Sequence, residues 1–421
     1  MTPDRAGSIA GVDSPKETRV YRAGHVFPVS SPVINDGGIA VRDGIIIGVG
    51  GWKDISSQYP AAAVEDLGDG ILMPGIINAH CHLDYTMMRG ALLGGGSFSG
   101  WIQRINAIRR SLDQADFLAS IASGMRELRR WGCTSVLNIE SFPELIPMVE
   151  DTPLRIWWFL EVMDIRSRLE SSEALAGAIN FFERASAGGP GFGISPHAPY
   201  TVSRELFELV RRFSEKYQLP VCTHLAESEE ELAMFTKGEG KLYEFLRSLG
   251  RSMDDCGGVT PVQAILTNGL VPEGSLLVHM NALGKGDREL LQRVGQRYHV
   301  IHCPRTHAFF KRPPFDMEFF LRNGIPVLLG TDSLASNQDL NMFAEMRAAA
   351  AAFPWLSTAE VISMATVLPA AAIGRAGQIG ELSTGSIADF IMIPGRGGSE
   401  PPEELILAND TPPRVWISGR Q

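Results

Sequence analysis

The sequence predicts an α/β protein organised around a (β/α)8 barrel, and three observations carry that prediction. Short apolar runs alternate with longer helix-patterned stretches through the middle of the 421-residue chain. Eight such runs are present, at 75–82, 133–139, 154–162, 192–197, 220–224, 275–279, 299–303 and 325–332. Five of the eight end in histidine or aspartate, and in a barrel the strand C-termini converge on one face where reactive groups gather. A doubly wound sheet would also alternate, but it does not call for eight units.

In chain order, the flanks differ from the middle. After a polar start, residues 19–27 and 38–49 are short, β-branched runs broken by Asn35-Asp36-Gly37-Gly38 and by Arg42-Asp43-Gly44. The second break, between β-branched residues, signals a hairpin. Residues 379–382, 387–393 and 415–417 look alike. The flanks therefore suggest one small β-domain shared by both termini, with separate terminal modules as the alternative. The expected division is 1–70 and 377–421 for the small domain and 71–376 for the barrel. Helical spacing is expected over 113–131, 203–217, 229–249 and 287–296.

Composition narrows the function classes. A net charge of −10 argues against non-specific nucleic-acid binding and against docking on an anionic membrane. No apolar run is long enough to span a bilayer, and the first eighteen residues contain no secretory h-region. The cysteines Cys81, Cys133, Cys222, Cys256 and Cys303 form no CxxC pair, which suits reduced thiols in a cytoplasmic protein. A small-molecule partner is expected, and a homo-oligomer is compatible with the sequence.

The chemistry starts at His80-Cys81-His82. Residues two apart on a strand point the same way, so both imidazoles can face one cation. Two histidines hydrogen-bonded at a strand end would explain that pair equally well. The wider set of His80, His82, His197, His224, His279 and Asp332, all at strand ends, points to a site. His25, His299 and His307 lack the pattern, and His302 is one residue out of phase. Three imidazoles and a carboxylate (His80, His82, His224 and Asp332) make a mixed N/O set suited to Zn2+, with Fe2+ as the alternative. Water in an open position of such a site has its pKa lowered from about 15.7 to about 7. Glu227, three residues past His224, is placed to carry protons, and His279 and Asp332 to orient the water. No lysine falls in a strand run, so one divalent ion is expected rather than a lysine-bridged pair.

These residues also carry a resemblance. Pro74-Gly75-Ile76-Ile77-Asn78-Ala79-His80-Cys81-His82, Ser195-Pro196-His197-Ala198-Pro199-Tyr200-Thr201, Thr223-His224-Leu225-Ala226-Glu227-Ser228, His302-Cys303-Pro304 and Gly330-Thr331-Asp332-Ser333 resemble the amidohydrolase superfamily, in its deaminase and chlorohydrolase branch. The similarity runs from about Arg19 to about Ile393. It implies a distorted barrel with a β-sandwich from both termini, and a single metal on His80, His82, His224 and Asp332. It further implies proton shuttling by Glu227, His279 close to the attacking water, and His197 against the substrate ring.

Departures from the pattern bear on substrate. Where adenosine-type members have C-P-x-S-N, this chain has Cys303-Pro304-Arg305-Thr306-His307. Arg110 aligns with a ribose-binding glutamate, and Glu161 stands where adenosylhomocysteine enzymes tend to be basic. The C-P-R form, Leu160-Glu161-Val162 and His82-Leu83-Asp84 are more similar to aminodeoxyfutalosine deaminases, which act on an adenine nucleoside carrying a carboxyphenyl ketone. The resemblance thus implies deamination at C6 of an adenine nucleoside, aminodeoxyfutalosine first. Methylthioadenosine/adenosylhomocysteine deaminase, guanine-type deaminase and triazine-type chlorohydrolase are the rivals, and an inactive barrel scaffold is the non-enzyme alternative. Arg305, Arg109, Arg110 and Arg168 are candidate partners for a substrate carboxylate. Phe98, Trp101, Phe309 and Phe310 are candidates for an aromatic wall.

Overall fold

The computed structural model describes residues 17–150, 152, 154–165, 170–185, 191–395 and 401–421. Each of the eight apolar runs forms a parallel strand. Ile76–His82, Cys133–Glu140, Arg155–Val162 and Phe192–Pro196 pair in order. Cys222–Leu225, Leu276–His279, His299–His302 and Val327–Leu329 form a second arc, joined to the first by a bridge between Ile194 and Val221. The eighth strand is split. Val327–Leu329 pairs with the seventh, and Asp332–Ser333 pairs with Cys81 and His82 of the first, closing the ring. Gly330 makes the crossing feasible, since a Cβ there would lie 2.8 Å from the Cβ of His80.

The barrel interior is filled by Ile77, Leu137, Phe159, Leu276, Ile301 and Leu328, each contributing about 1.5–3 kcal/mol by burial. Outside it, Gln114–Arg130 starts in a capping box at Asp113 and buries Phe117, Ile121, Met125 and Leu128 at helical spacing. The helix expected over 229–249 is two helices, Glu229–Lys237 and Lys241–Ser248. Gly238, in the left-handed region at φ 66°, ends the first of them.

The terminal strands form one seven-stranded sheet. Its order is Arg414–Trp416, Phe390–Ile393, Ile71–Pro74, Arg19–Val26, Ile34–Arg42 and Ile45–Gly51, and Ala63–Asp66 also pairs with Arg19–Val26. The sheet curls so that Tyr21 meets Phe390 and Trp416 across a shared core, ring centroids 4.9 and 5.7 Å apart. The expected hairpin forms at Asp43-Gly44, both at positive φ. The expected break at residues 35–38 does not form. Ile34–Arg42 runs through it, with Asp36 at φ 44° and held by Arg22 Nε at 2.8 Å.

The expected boundary at residue 70 also falls inside this sheet, because Ile71–Pro74 pairs with Phe390–Ile393. Past the last sheet strands' first member, the helix Pro402–Leu407 returns to the barrel, where Arg347 Nη1 donates to the carbonyls of Leu407 and Asn409. Sheet and barrel are tied by Arg155, whose guanidinium donates to the buried Asp389 carboxylate at 2.5 and 3.3 Å. Among the described residues, no helix is long and apolar enough to cross a membrane. The five cysteines are free thiols, four of them buried.

Candidate active site

The first barrel strand slips in register between Asn78 and Cys81. Ile77 and Ala79 pack into the barrel interior, and strict alternation would then turn His80 and His82 outward. The slip brings both imidazoles inward. Asn78 stabilises the distortion: its side chain accepts from the backbone N–H of Thr331 at 3.1 Å and donates to the Thr331 hydroxyl at 2.8 Å.

The ligand atoms of His80, His82 and His224 lie within 4.8 Å of one another, and so do those of His279, Cys303 and Asp332. Asp332 joins the two groups, with Oδ1 3.7 Å from His80 Nε2 and 3.8 Å from His82 Nε2, and Oδ2 4.0 Å from His279 Nε2. His224 Nδ1 donates to the His197 carbonyl at 2.9 Å, which leaves its Nε2 with a free lone pair. Both ring nitrogens of His80 and Nδ1 of His82 are buried without a hydrogen-bond partner. A divalent cation would satisfy such a set, so the residues fit one.

Burial keeps the imidazoles of His82, His197, His224 and His279 neutral, which is the ligating form of the ring. It pushes His82 and His279 well below the usual histidine range, His224 down to about 3 and His197 to about 4. Burial pushes the Asp332 carboxyl up, but the facing imidazoles of His80, His279 and His82 outweigh it and hold Asp332 well below the usual carboxylate range. Two of these side chains are aimed by unusual backbone. His279 at φ 81° and Asp332 at φ 59° both occupy the left-handed region, which disfavours residues bearing a Cβ.

Glu227 follows the fifth strand, in a turn held by Glu231. The Glu231 carboxylate accepts from the backbone N–H of Glu227 at 2.6 Å and of Ala226 at 3.3 Å. Glu227 Oε1 lies 3.7 Å from His279 Nε2 and accepts from Arg312 Nη2 at 3.1 Å. Burial pushes its carboxyl up to about 8, tempered by Arg312. An acid/base group poised near neutral pH is suited to moving protons.

A cavity of about 720 Å³ opens above this cluster, reaching His82, His197, His224, Glu227, His279 and Asp332. Tyr85, Phe98 and Trp101 line its aromatic wall, and Arg109, Arg110 and Glu161 also line it. Phe310 backs the wall, with its ring centroid 5.0 Å from that of Trp101. His197 is oriented by Thr201, 2.6 Å from its Nδ1.

Arg305 does not join this cavity. Pro304 starts a helix, Pro304–Phe309, directly after the seventh strand, and that change of backbone carries the side chain away from the barrel mouth. Arg305 Nη1 donates to Asp339 at 2.5 Å, and its backbone N–H donates to the buried Glu345 at 3.0 Å. With Phe309 it lines a separate cavity of about 600 Å³. Arg168 lies outside the described residues. His302 faces away from the barrel interior and stacks on Phe315 at 4.1 Å. Arg312, Glu231 and Asn281, whose Nδ2 donates to the Glu227 carbonyl at 3.2 Å, are not legible in the sequence as site residues. Arg312 follows two phenylalanines and a lysine and precedes two prolines, a context that reads as a surface loop.

The family model described as "Amidohydrolase family" matches residues 71–421. A 5-methylthioadenosine/S-adenosylhomocysteine deaminase of Pyrococcus furiosus is 28% identical over 367 residues, covering 84% of this chain and 81% of the relative. An aminodeoxyfutalosine deaminase of Nitratiruptor sp. is 27% identical over 410 residues, covering 94% and 98%. A crystal structure of an adenosine deaminase from Xanthomonas campestris with bound zinc superimposes with a TM-score of 0.80 at 25% identity, covering 96% and 93%. The chain belongs to the amidohydrolase family, metal-dependent hydrolases acting on carbon–nitrogen bonds.

Proposed function

We propose that the protein is an aminohydrolase that releases ammonia from C6 of an adenine nucleoside. The observation that carries this reading is the convergence of His80, His82, His224 and Asp332 beside Glu227 at the floor of one cavity. A divalent ion, Zn2+ first and Fe2+ as the alternative, would be held by those three histidines and Asp332. When bound it supplies Lewis acidity to water.

The chain's own residues do the rest. Glu227 takes the proton from the attacking water at its carboxylate and delivers it to the departing amine, the two halves of acid/base work that a carboxyl of raised pKa can perform. His279, neutral and 3.7 Å from Glu227, keeps its ring at the reacting face. His197 presents its edge to the purine, and Tyr85, Phe98 and Trp101 offer flat walls for stacking. An inactive scaffold has no need of this full set.

Aminodeoxyfutalosine is the substrate we put first. The Nitratiruptor relative that carries that name spans nearly the whole of both chains. Arg110 lines the cavity, and its guanidinium suits a substrate carboxylate. Methylthioadenosine and adenosylhomocysteine are the competing substrates, in line with the Pyrococcus relative. Ammonia release from these nucleosides by the purified, metal-loaded protein tests the reading. Faster turnover of methylthioadenosine would replace the substrate, and no deamination of any of them would remove the function.

A further inference from the structure

The mechanism above gives Glu227 a proton to carry, but a buried carboxylate needs something to hold it. Among the described residues, one guanidinium reaches it. Arg312 comes from the loop after Pro304–Phe309, just past Lys311 in the left-handed region at φ 52°. Its side chain is 8% exposed and that of Glu227 is 6% exposed, so the pair is largely dry and the 3.1 Å contact to Oε1 is a strong one. The guanidinium sits between Phe310 and Phe98, 4.7 and 5.4 Å from their ring centroids. Its Nε is buried with no hydrogen-bond partner. A charge packed this deeply between aromatic rings, with its Nε–H unpaired, is held in place chiefly by the carboxylate it faces.

We infer that Arg312 is a positioning residue for Glu227, fixing Oε1, the oxygen that also lies 3.7 Å from His279 Nε2, beside the reacting groups. This rests on the proton-carrying role proposed for Glu227. The groups around that carboxyl show why a cation is needed there. Asp332 and Glu231 are acidic and favour its protonated form, as does burial. His279 is kept neutral by burial, and Tyr200 adds only a hydroxyl. Arg312 is the full positive charge that opposes them. It also ties the carboxylate to the cavity wall, because Phe98, on which it packs, begins the helix Phe98–Arg109 that carries Trp101. Glu230 caps that helix by accepting from the backbone N–H of Phe98 at 2.6 Å.

Arg312→Met keeps the apolar stem against both rings and removes the charge, and Arg312→Lys restores a charge. An opposite charge at this range lowers a carboxyl by about one to three pKa units. In Arg312→Met the acid limb of kcat should therefore move up by about one to three pH units, for aminodeoxyfutalosine and methylthioadenosine assayed in parallel. On the acid side of the wild-type limb the rate should fall by about 10- to 10³-fold, with KM within about threefold and metal content unchanged. Arg312→Lys should regain part of the loss. An infrared band of the protonated Glu227 carboxyl, identified by its absence in Glu227→Gln, should persist to higher pH in Arg312→Met, and this readout needs no substrate. An unmoved acid limb and an unmoved band, or an equal loss of rate at every pH, would overturn the inference. Turnover retained in Glu227→Gln would instead overturn the role of Glu227 itself, so the two failures are distinguishable.

Discussion

His80 Nε2 lies 3.7 Å from Asp332 Oδ1, although one residue belongs to the first barrel strand and the other to the last. Closure of the ring brings them together, and Gly330 is what lets the last strand cross the backbone of His80. The metal prediction follows from that closure. One divalent ion per chain is expected, and His82→Ala should lose most of it, because removing one ligand typically costs more than the 10- to 100-fold in affinity of removing a supporting hydrogen bond. Metal analysis after dialysis checks this, and full retention by His82→Ala would contradict it.

Glu227→Gln separates binding from chemistry. The amide is the same size and can still accept from Arg312, so fold and metal content should be unchanged. Turnover should drop by at least about 10²-fold, the usual scale for a general acid/base. Steady-state kinetics beside a metal assay would show it, and near-normal turnover would place the proton carrier elsewhere.

The same carboxyl sets a pH dependence. Its base form accepts the proton from water, so the rate should rise with pH as Glu227 ionises. Burial lifts the group to about 8 even with Arg312 drawing it down, and a bound divalent ion would lower it further, so the rising limb should lie between an ordinary glutamate value of about 4.3 and about 8. A rate that falls with rising pH across this interval would reverse the assignment of roles.

Arg155→Ala tests the tie between barrel and terminal sheet. It leaves Asp389, 2% exposed, with the Ser418 backbone N–H at 2.7 Å but without its guanidinium partner, and leaves the Ser418 hydroxyl without the donor it has at 2.5 Å. Breaking a buried pair in this way costs about 3–5 kcal/mol. Denaturant unfolding should show that loss, and a change under 1 kcal/mol would mean that water rescues the carboxylate.

Arg305→Ala is expected to destabilise without touching the substrate. Its partners are Asp339 and Glu345, so the cost should be about 1–3 kcal/mol from the groups left behind, with KM unchanged within about threefold. A specific loss of affinity for a carboxylate-bearing nucleoside would restore Arg305 to the binding site.

The contrast between Arg305 and His224 shows what was legible in the sequence. Parallel strands buried on both faces read as continuous apolar runs, so all eight could be placed, and residues at their ends inherited a position. His224 needed nothing more. Arg305 lies one step past a strand end, where the helix begun by Pro304, not the strand's alternation, decides direction. The inward turn of His80 depends on a register slip, and that of His279 on a left-handed backbone angle. Neither leaves a mark in residue type. Arg312 was hidden for another reason: its partner is far away in sequence, and its neighbours look like surface.

The most direct test is ammonia release by the purified, metal-loaded protein, with Glu227→Gln as control, from aminodeoxyfutalosine, methylthioadenosine and adenosylhomocysteine. The account predicts deamination at C6 of at least one of these, fastest for aminodeoxyfutalosine, and its loss in the variant. No ammonia from any of them, or equal release by Glu227→Gln, would contradict it.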